Sequence, residues 1–205
     1  MKNNQQNKTQ FVAIASIAAE LSAVMDVARE ISLAAANAKA IAFRAGEKAR
    51  GFQPITDFIN ELVKETIALV NEINAQAVDL YQLTVKEYRM TETYNSFQQV
   101  RNLVDGALYR QSLEASHAAA RQRMLETRRQ FNLHVIRLLD SLGEVMHPAR
   151  AARVIAANSR IEASQAGEYL QSLQAVAESV DNAAKIIHDK VQRCRSALSV
   201  IDTSD

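Results

Sequence analysis

The chain has 205 residues, 24 basic against 23 acidic side chains, and a formal net charge of +1. Five glycines, two prolines, no tryptophan and a 5% aromatic share argue for helix and against sheet. The near-neutral balance excludes the broad basic field of a nucleic-acid binder and any acidic tail.

The length fits one or two domains. One cysteine, Cys194, leaves no internal disulfide and fits a reducing cytoplasm. No apolar run is expected to approach the roughly 20 residues of a membrane span. The first ten residues, MKNNQQNKTQ, lack the apolar core of a signal peptide. The expectation is a cytoplasmic chain without a membrane span.

Apolar periodicity predicts helices over 10–46, 52–104, 110–165 and 169–202. Thr9 reads as the cap of the first. Its seam is Ile14, Ile17, Leu21, Val24, Ala28, Ile31, Ala35, Ala38, Ala42 and Ala45, spaced three and four apart. Large residues start it and alanines end it, so the bundle should narrow there. After a glycine-flanked turn the seam resumes as Phe52, Ile55, Ile59, Leu62, Thr66, Leu69, Ile73, Gln76, Leu80 and Leu83. Pro54 falls in the first helical turn, where a missing N–H costs little.

Residues 87–130 are less regular and carry Tyr88, Met90, Tyr94 and Phe97, with Asp105-Gly106 as the break signal. A clean seam returns at Phe131, Val135, Leu138, Leu142, Val145, Ala149, Ala152, Ala156, Ser159, Ala163 and Ala166. The last runs from Leu173 through Val176, Val180, Ala183, Ile187, Val191, Cys194 and Leu198 to Ile201. The expected division is a first hairpin at 10–86, a connection at 87–130 and a second hairpin at 131–203.

The first turn reads NAKAIAFRAGEKARGF from Asn37 to Phe52. Glycines flanking Glu47 and Lys48 suit a helix reversing on itself. Asn37, Ala38, Ala40, Ala42, Arg44, Ala45, Gly46, Glu47, Arg50, Gly51 and Phe52 resemble the hairpin tip of the methyl-accepting chemotaxis proteins. The resemblance covers about residues 14 to 80. It implies a long antiparallel coiled coil whose tip binds the histidine kinase CheA and the adaptor CheW. The family's sensor domain, membrane helices and linker module have no counterpart in these residues, so a tip-only relative is expected.

Shifted by 121 positions, the chain matches itself without gaps. Between Ile14 and Lys64, 14 of 51 positions are identical. Asn37 meets Asn158, and Ala45-Gly46-Glu47 meets Ala166-Gly167-Glu168. We read a duplicated hairpin. The fold expected is all-α, an elongated antiparallel four-helix bundle in which one chain supplies the two hairpins of a family dimer. Both turns should then share one end. The two middle helices should overhang the bundle by about 20 residues each, and 88–125 should self-associate or fold locally.

The second turn is degenerate. Gln165 replaces the arginine, and Tyr169 to Leu173 replace the polar Lys48 to Gly51 and Phe52. It keeps Glu162 where the first hairpin has Ile41. In the family that glutamate helps dimers assemble into trimers. The aromatic of the same contact is Arg29 here, and Arg150 in the second copy. The candidate partner-binding residues are therefore Asn37, Arg44, Glu47, Arg50 and Phe52 in hairpin 1, with Asn158, Glu162 and Glu168 in hairpin 2. Phe52 is expected to be the apolar anchor among fixed charges. Gln98-Gln99 is the only pair in a suitable helix that suggests a methylation site, and its neighbours do not fit.

No histidine pair has the i, i+4 spacing of a helical metal site, and each histidine reads as surface or seam edge. No phosphate loop or nucleophile–base set is present, so no enzyme, metal or cofactor is expected. The leading expectation is a chemoreceptor-like signalling protein. The second is a helical interaction module without array function. The third is a ligand- or cofactor-sensing bundle with a pocket among Tyr88, Tyr94, Tyr109 and His117.

Overall fold

A computed structural model describes the backbone of residues 2–103 and 110–202 and the side chains of 8–103 and 113–201. Asp105-Gly106 and Tyr109 lie outside the described residues. The elements are α1 (Lys2–Ala45), α2 (Phe52–Leu103), α3 (Arg110–Glu144), α4 (Met146–Ala163) and α5 (Leu170–Asp202). Short 3₁₀ turns at Gly46–Ala49 and Gly167–Tyr169 join α1 to α2 and α4 to α5. There is no strand among the described residues. The fold is an all-α helical bundle of four long rods, α3 and α4 forming one of them.

α1 packs along α2 and α5, α2 along α3 and α4, and α4 along α5. One long apolar cluster fills the interior, and a smaller one closes the end that holds the turns. The seams expected for α1, for α3 with α4, and for α5 are buried throughout, except that Ala45 is only half-buried. Each buried Val, Leu or Ile contributes about 1.5–3 kcal/mol. Near the turns the seam is alanine, with Ala38, Ala42, Ala163 and Ala166 fully buried, so the helix backbones approach closely.

The α2 seam differs from the sequence expectation. Phe52, Ile59, Thr66, Ile73 and Leu80 are buried as expected. Their partners in the seam are Thr56, Val63, Val70, Ala77 and Thr84, not Ile55, Leu62, Leu69, Gln76 and Leu83. The larger set is half-buried on the flank. Two rows adjoin the Phe52 row, and the narrow interior accepts the smaller side chains. The longer leucines reach the core from the side. Thr66 satisfies its hydroxyl by donating to the Leu62 carbonyl at 2.8 Å. Gln76 donates from Nε2 to Ser141 Oγ at 3.0 Å, a polar link between α2 and α3.

The rod expected over 110–165 is broken at Val145. Pro148 explains the break. It has no N–H for the Glu144 carbonyl, and its ring excludes that carbonyl from helical position. Pro148 is itself buried beside a small apolar cavity of about 20 Å³ that also touches Ile31, Val63, Thr66 and Ala152. The first helix begins at Lys2 rather than near residue 10, which puts Thr9 inside α1 rather than at its cap. Nothing in Asn3 to Lys8 breaks a helix, so α1 simply continues.

Residues 88–103 and 113–125 form no local compact unit: α2 and α3 run on as an antiparallel pair. Arg101 Nε lies 3.7 Å from Glu114 Oε1. His117 is buried, bonded through Nε2 to Gln98 Oε1 at 2.6 Å and tilted against Tyr94 with ring centres 5.0 Å apart. That corrects the reading of every histidine as surface or seam edge. It also ties Gln98 to the pair rather than leaving it free for modification.

α1 is also more apolar than its seam alone suggests. Within Lys8–Ala49 an 18-residue window reaches a mean hydropathy of 1.8, long and apolar enough to cross a membrane by length and composition. Alanine between the seam positions raises that value. In the bundle a third of the window is buried.

Candidate functional site

The two Ala-Gly-Glu turns sit at the same end of the bundle. Ala38, Ala42, Ala49 and Phe52 of hairpin 1 share one apolar cluster with Ala163, Ala166, Leu173 and Val176 of hairpin 2. Both turns are made alike. Gly46 and Gly167 each adopt φ +58°, the left-handed region that ends a helix at low cost only for glycine. The turns also cross-pack. A Cβ built on Gly51 would overlap the Glu162 carboxylate, and one on Gly167 would sit 3.9 Å from Lys48 Cδ. Glu162 thus lies half-buried over turn 1, and the Lys48 stem passes over turn 2.

Arg44, Glu47, Lys48 and Arg50 are exposed around turn 1. Arg50 Nη1 stands 3.5 Å from Glu47 Oε2, both largely solvated, so the pair contributes little to stability. Asn37 and Asn158 are exposed on α1 and α4, and Glu168 is exposed in turn 2. Phe52 departs from its expected role. It is only 1% exposed, packed among Ala38, Ala42 and Leu173, and cannot touch a partner. It starts α2 on the seam, and the narrow end needs one large ring to fill it.

Phe43 takes the exposed place instead, at 79% exposure one residue before Arg44. The signal was in the sequence: Phe43 falls directly after the seam residue Ala42, on the outer side of α1. Arg29 is exposed and bonded to Asp26 at 3.2 Å.

Charge is organised differently on the two hairpins. On hairpin 1, Lys39 Nζ bonds Asp57 Oδ1 at 2.7 Å, one cation to one anion. On hairpin 2, Asp181 of α5 gathers three cations: Lys185 Nζ at 3.0 Å, Arg160 Nη2 at 3.1 Å and Arg153 Nε at 3.7 Å. Hydrogen bonds from Lys185, then Arg160, hold the Asp181 carboxyl below its ordinary range. Further from the turns, Glu20 of α1 meets Lys190 at 2.7 Å and Arg193 at 3.6 Å on α5. The hydrogen bond from Lys190 is the main cause that lowers its carboxyl against the opposing effect of burial. Sequence reading missed both clusters, because each joins residues of two helices that are distant in the chain.

Cys194 is buried against α1, with Sγ 4.0 Å from the Ile17 carbonyl, and burial pushes its thiol up to about 12. That makes it a packing residue, not a nucleophile. No group of three or more His, Cys, Asp or Glu among the described residues is placed to hold a metal ion. Around His117 the surface is an open groove with Arg101, Arg121, Leu125 and Arg129 rather than an enclosed pocket. No protein-family model matches the chain, and a search of curated proteins found no match either.

Proposed function

We propose that the chain is a covalent counterpart of a chemoreceptor tip dimer, non-enzymatic, which presents turn 1 to a chemotaxis kinase or adaptor of the CheA or CheW type. Hairpin 1 is α1 with α2. Hairpin 2 is the α3–α4 rod with α5. The observation that supports this most is the single apolar cluster shared by both turns. A tip needs two hairpins side by side at one end, and the repeat supplies them. Arg44, Glu47 and Arg50 offer solvated charges in a fixed turn, and Phe43 offers the apolar contact expected of Phe52, the mixture usual in a small specific interface. Glu162 lies over Gly51 within the chain, so it acts in joining the hairpins rather than in holding other copies.

The test is calorimetric titration with a purified CheA-type kinase and CheW-type adaptor. Arg44→Glu combined with Glu47→Arg should cost at least about tenfold in affinity. Glu168→Arg should change it little. Equal binding by wild type and both variants would reduce turn 1 to a structural reversal and overturn the reading.

A further inference from the structure

Hairpin 2 has lost the polar residues of its turn, yet α4 carries a pattern of its own. Arg153-Val154 is followed seven residues later by Arg160-Ile161. Seven residues is nearly two helical turns, so the two arginines fall in one row and the two aliphatics in the next. The structure keeps the rows apart. The arginines lean toward Asp181 of α5, while Val154 and Ile161 stand outward at 63% and 62% exposure. Arg150, one turn before Val154, is exposed as well.

The charge on this face is unbalanced. Arg153, Arg160 and Lys185 all lie within 4 Å of one carboxylate. Asp181 is 14% exposed in its side chain and the three cations are about half exposed, so the carboxylate is enclosed while the donors are not. A guanidinium has five N–H donors. Arg153 and Arg160 can therefore keep Asp181 and still accept further oxygens. Arg150 on α4 and Glu178 and Asp189 on α5 are exposed as well, so with both acids counted the cations still outnumber the anions, four to three. Hairpin 1 has only a partial counterpart, one Lys39–Asp57 pair and the exposed Leu33. The 121-residue shift puts Ser32-Leu33 and Lys39-Ala40 at the places of the two Arg-aliphatic pairs, and Asn60 at that of Asp181.

We propose that the α4–α5 face of hairpin 2 is a docking surface for an acidic amphipathic helix of a partner protein. Glu or Asp side chains in one row of that helix meet Arg153, Arg160 and Lys185. Aliphatic residues in the adjoining row cover Val154 and Ile161. Charge complementarity favours this occupant: a wholly apolar partner would leave the cations uncompensated, and a polyanion without an apolar row would leave the aliphatics in water. The surface is separate from turn 1, so it stands or falls independently of the function proposed above.

The probe is a labelled three-heptad peptide with Glu and Leu rows. A Lys and Leu peptide of equal length and a phosphatidylserine vesicle serve as competitors. Fluorescence anisotropy should give wild type at least about a tenfold preference for the Glu peptide, weakening as salt is raised. Arg153→Gln with Arg160→Gln keeps Asp181 paired to Lys185 and should remove most of that preference. Val154→Ser with Ile161→Ser leaves every charge in place and should weaken binding as well. Lys39→Gln with Leu33→Ser on hairpin 1 should leave it unchanged. Equal binding of both peptides, loss with the hairpin 1 variant, or retention by the arginine variant would overturn the proposal. Displacement of the peptide by vesicles that bind more tightly would assign the face to an anionic membrane instead, and so would overturn it too.

Discussion

Turn 1 and turn 2 share a left-handed glycine and differ in their surroundings. Gly46 and Gly167 share φ +58°, and Ala45-Gly46-Glu47 repeats as Ala166-Gly167-Glu168. After the glycine the two diverge. Turn 1 continues into solvated Lys48, Arg50 and Gly51, then sends Phe52 inward. Turn 2 continues into half-buried Tyr169 and Leu170. The reversal needs only a left-handed glycine and alanines that let the helices meet. Everything exposed is free to differ, and that is where the two hairpins part.

The largest test of that comparison lies in the part both hairpins share. Phe52 and Leu173 occupy matched positions in one cluster. Phe52→Ala should cost about 3–5 kcal/mol and Leu173→Ala about 2–5 kcal/mol in urea unfolding. A loss under about 1 kcal/mol for Phe52→Ala would restore it as a surface anchor. Next come the glycines. Gly46→Ala and Gly167→Ala should each cost about 1–2 kcal/mol, since a Cβ disfavours the left-handed region. A Cβ would meet open space at Gly46 and only ordinary contact at Gly167, so the two costs should agree. Unequal thermal shifts would mean the turns are not equivalent.

A smaller effect separates the charge clusters. Glu20 and Asp181 both have folded carboxyls lowered below their ordinary values. Their stabilisation is present above the unfolded carboxylate range and is lost as pH falls through the folded values. Glu20→Gln and Asp181→Asn should each flatten the fall in stability below about pH 4. An unchanged acid profile in Asp181→Asn would mean its three cations are merely neighbours. The smallest effect belongs to Arg44→Glu with Glu47→Arg, solvated positions where a change of less than about 0.5 kcal/mol is expected in the thermal melt. A large loss there would tie turn 1 to stability rather than to recognition.

Most of the helical rods were legible because their seams are strict. α1, the α3–α4 rod and α5 each bury the row pair that counting by three and four finds, and α5 adds Ala177 and Ala184 beside it. α2 defeated that count. Large residues adjoin its Phe52 row on one side and small ones on the other, and size alone pointed to the wrong side. The break at Val145 was readable from Pro148, whose missing N–H removes a bond to Glu144 wherever it falls inside a helix. The exposed residues of turn 1 were legible from the local motif. The Asp181 cluster was legible only within each helix: Asp181 and Lys185 are four apart on α5, but no spacing rule links them to Arg153 and Arg160 on α4. Phe43 and Phe52 show the same limit: nine residues apart on two helices, one is solvated and one buried, and only the seam register tells them apart.

The pairing of α1 with α5 has a consequence for synthesis. Glu20 meets Lys190, and Ile17 meets Cys194, across nearly the whole chain. When α2 has left the ribosome, about 100 residues remain before α5 is complete. At about 5–20 residues per second the wait is roughly 5–20 s. Throughout it α1 shows one side of its apolar seam to the cell, covered by α2 alone. A nascent chain halted before α5 should therefore be a good client for a holding chaperone, and Cys194, once enclosed, marks the moment at which that dependence ends.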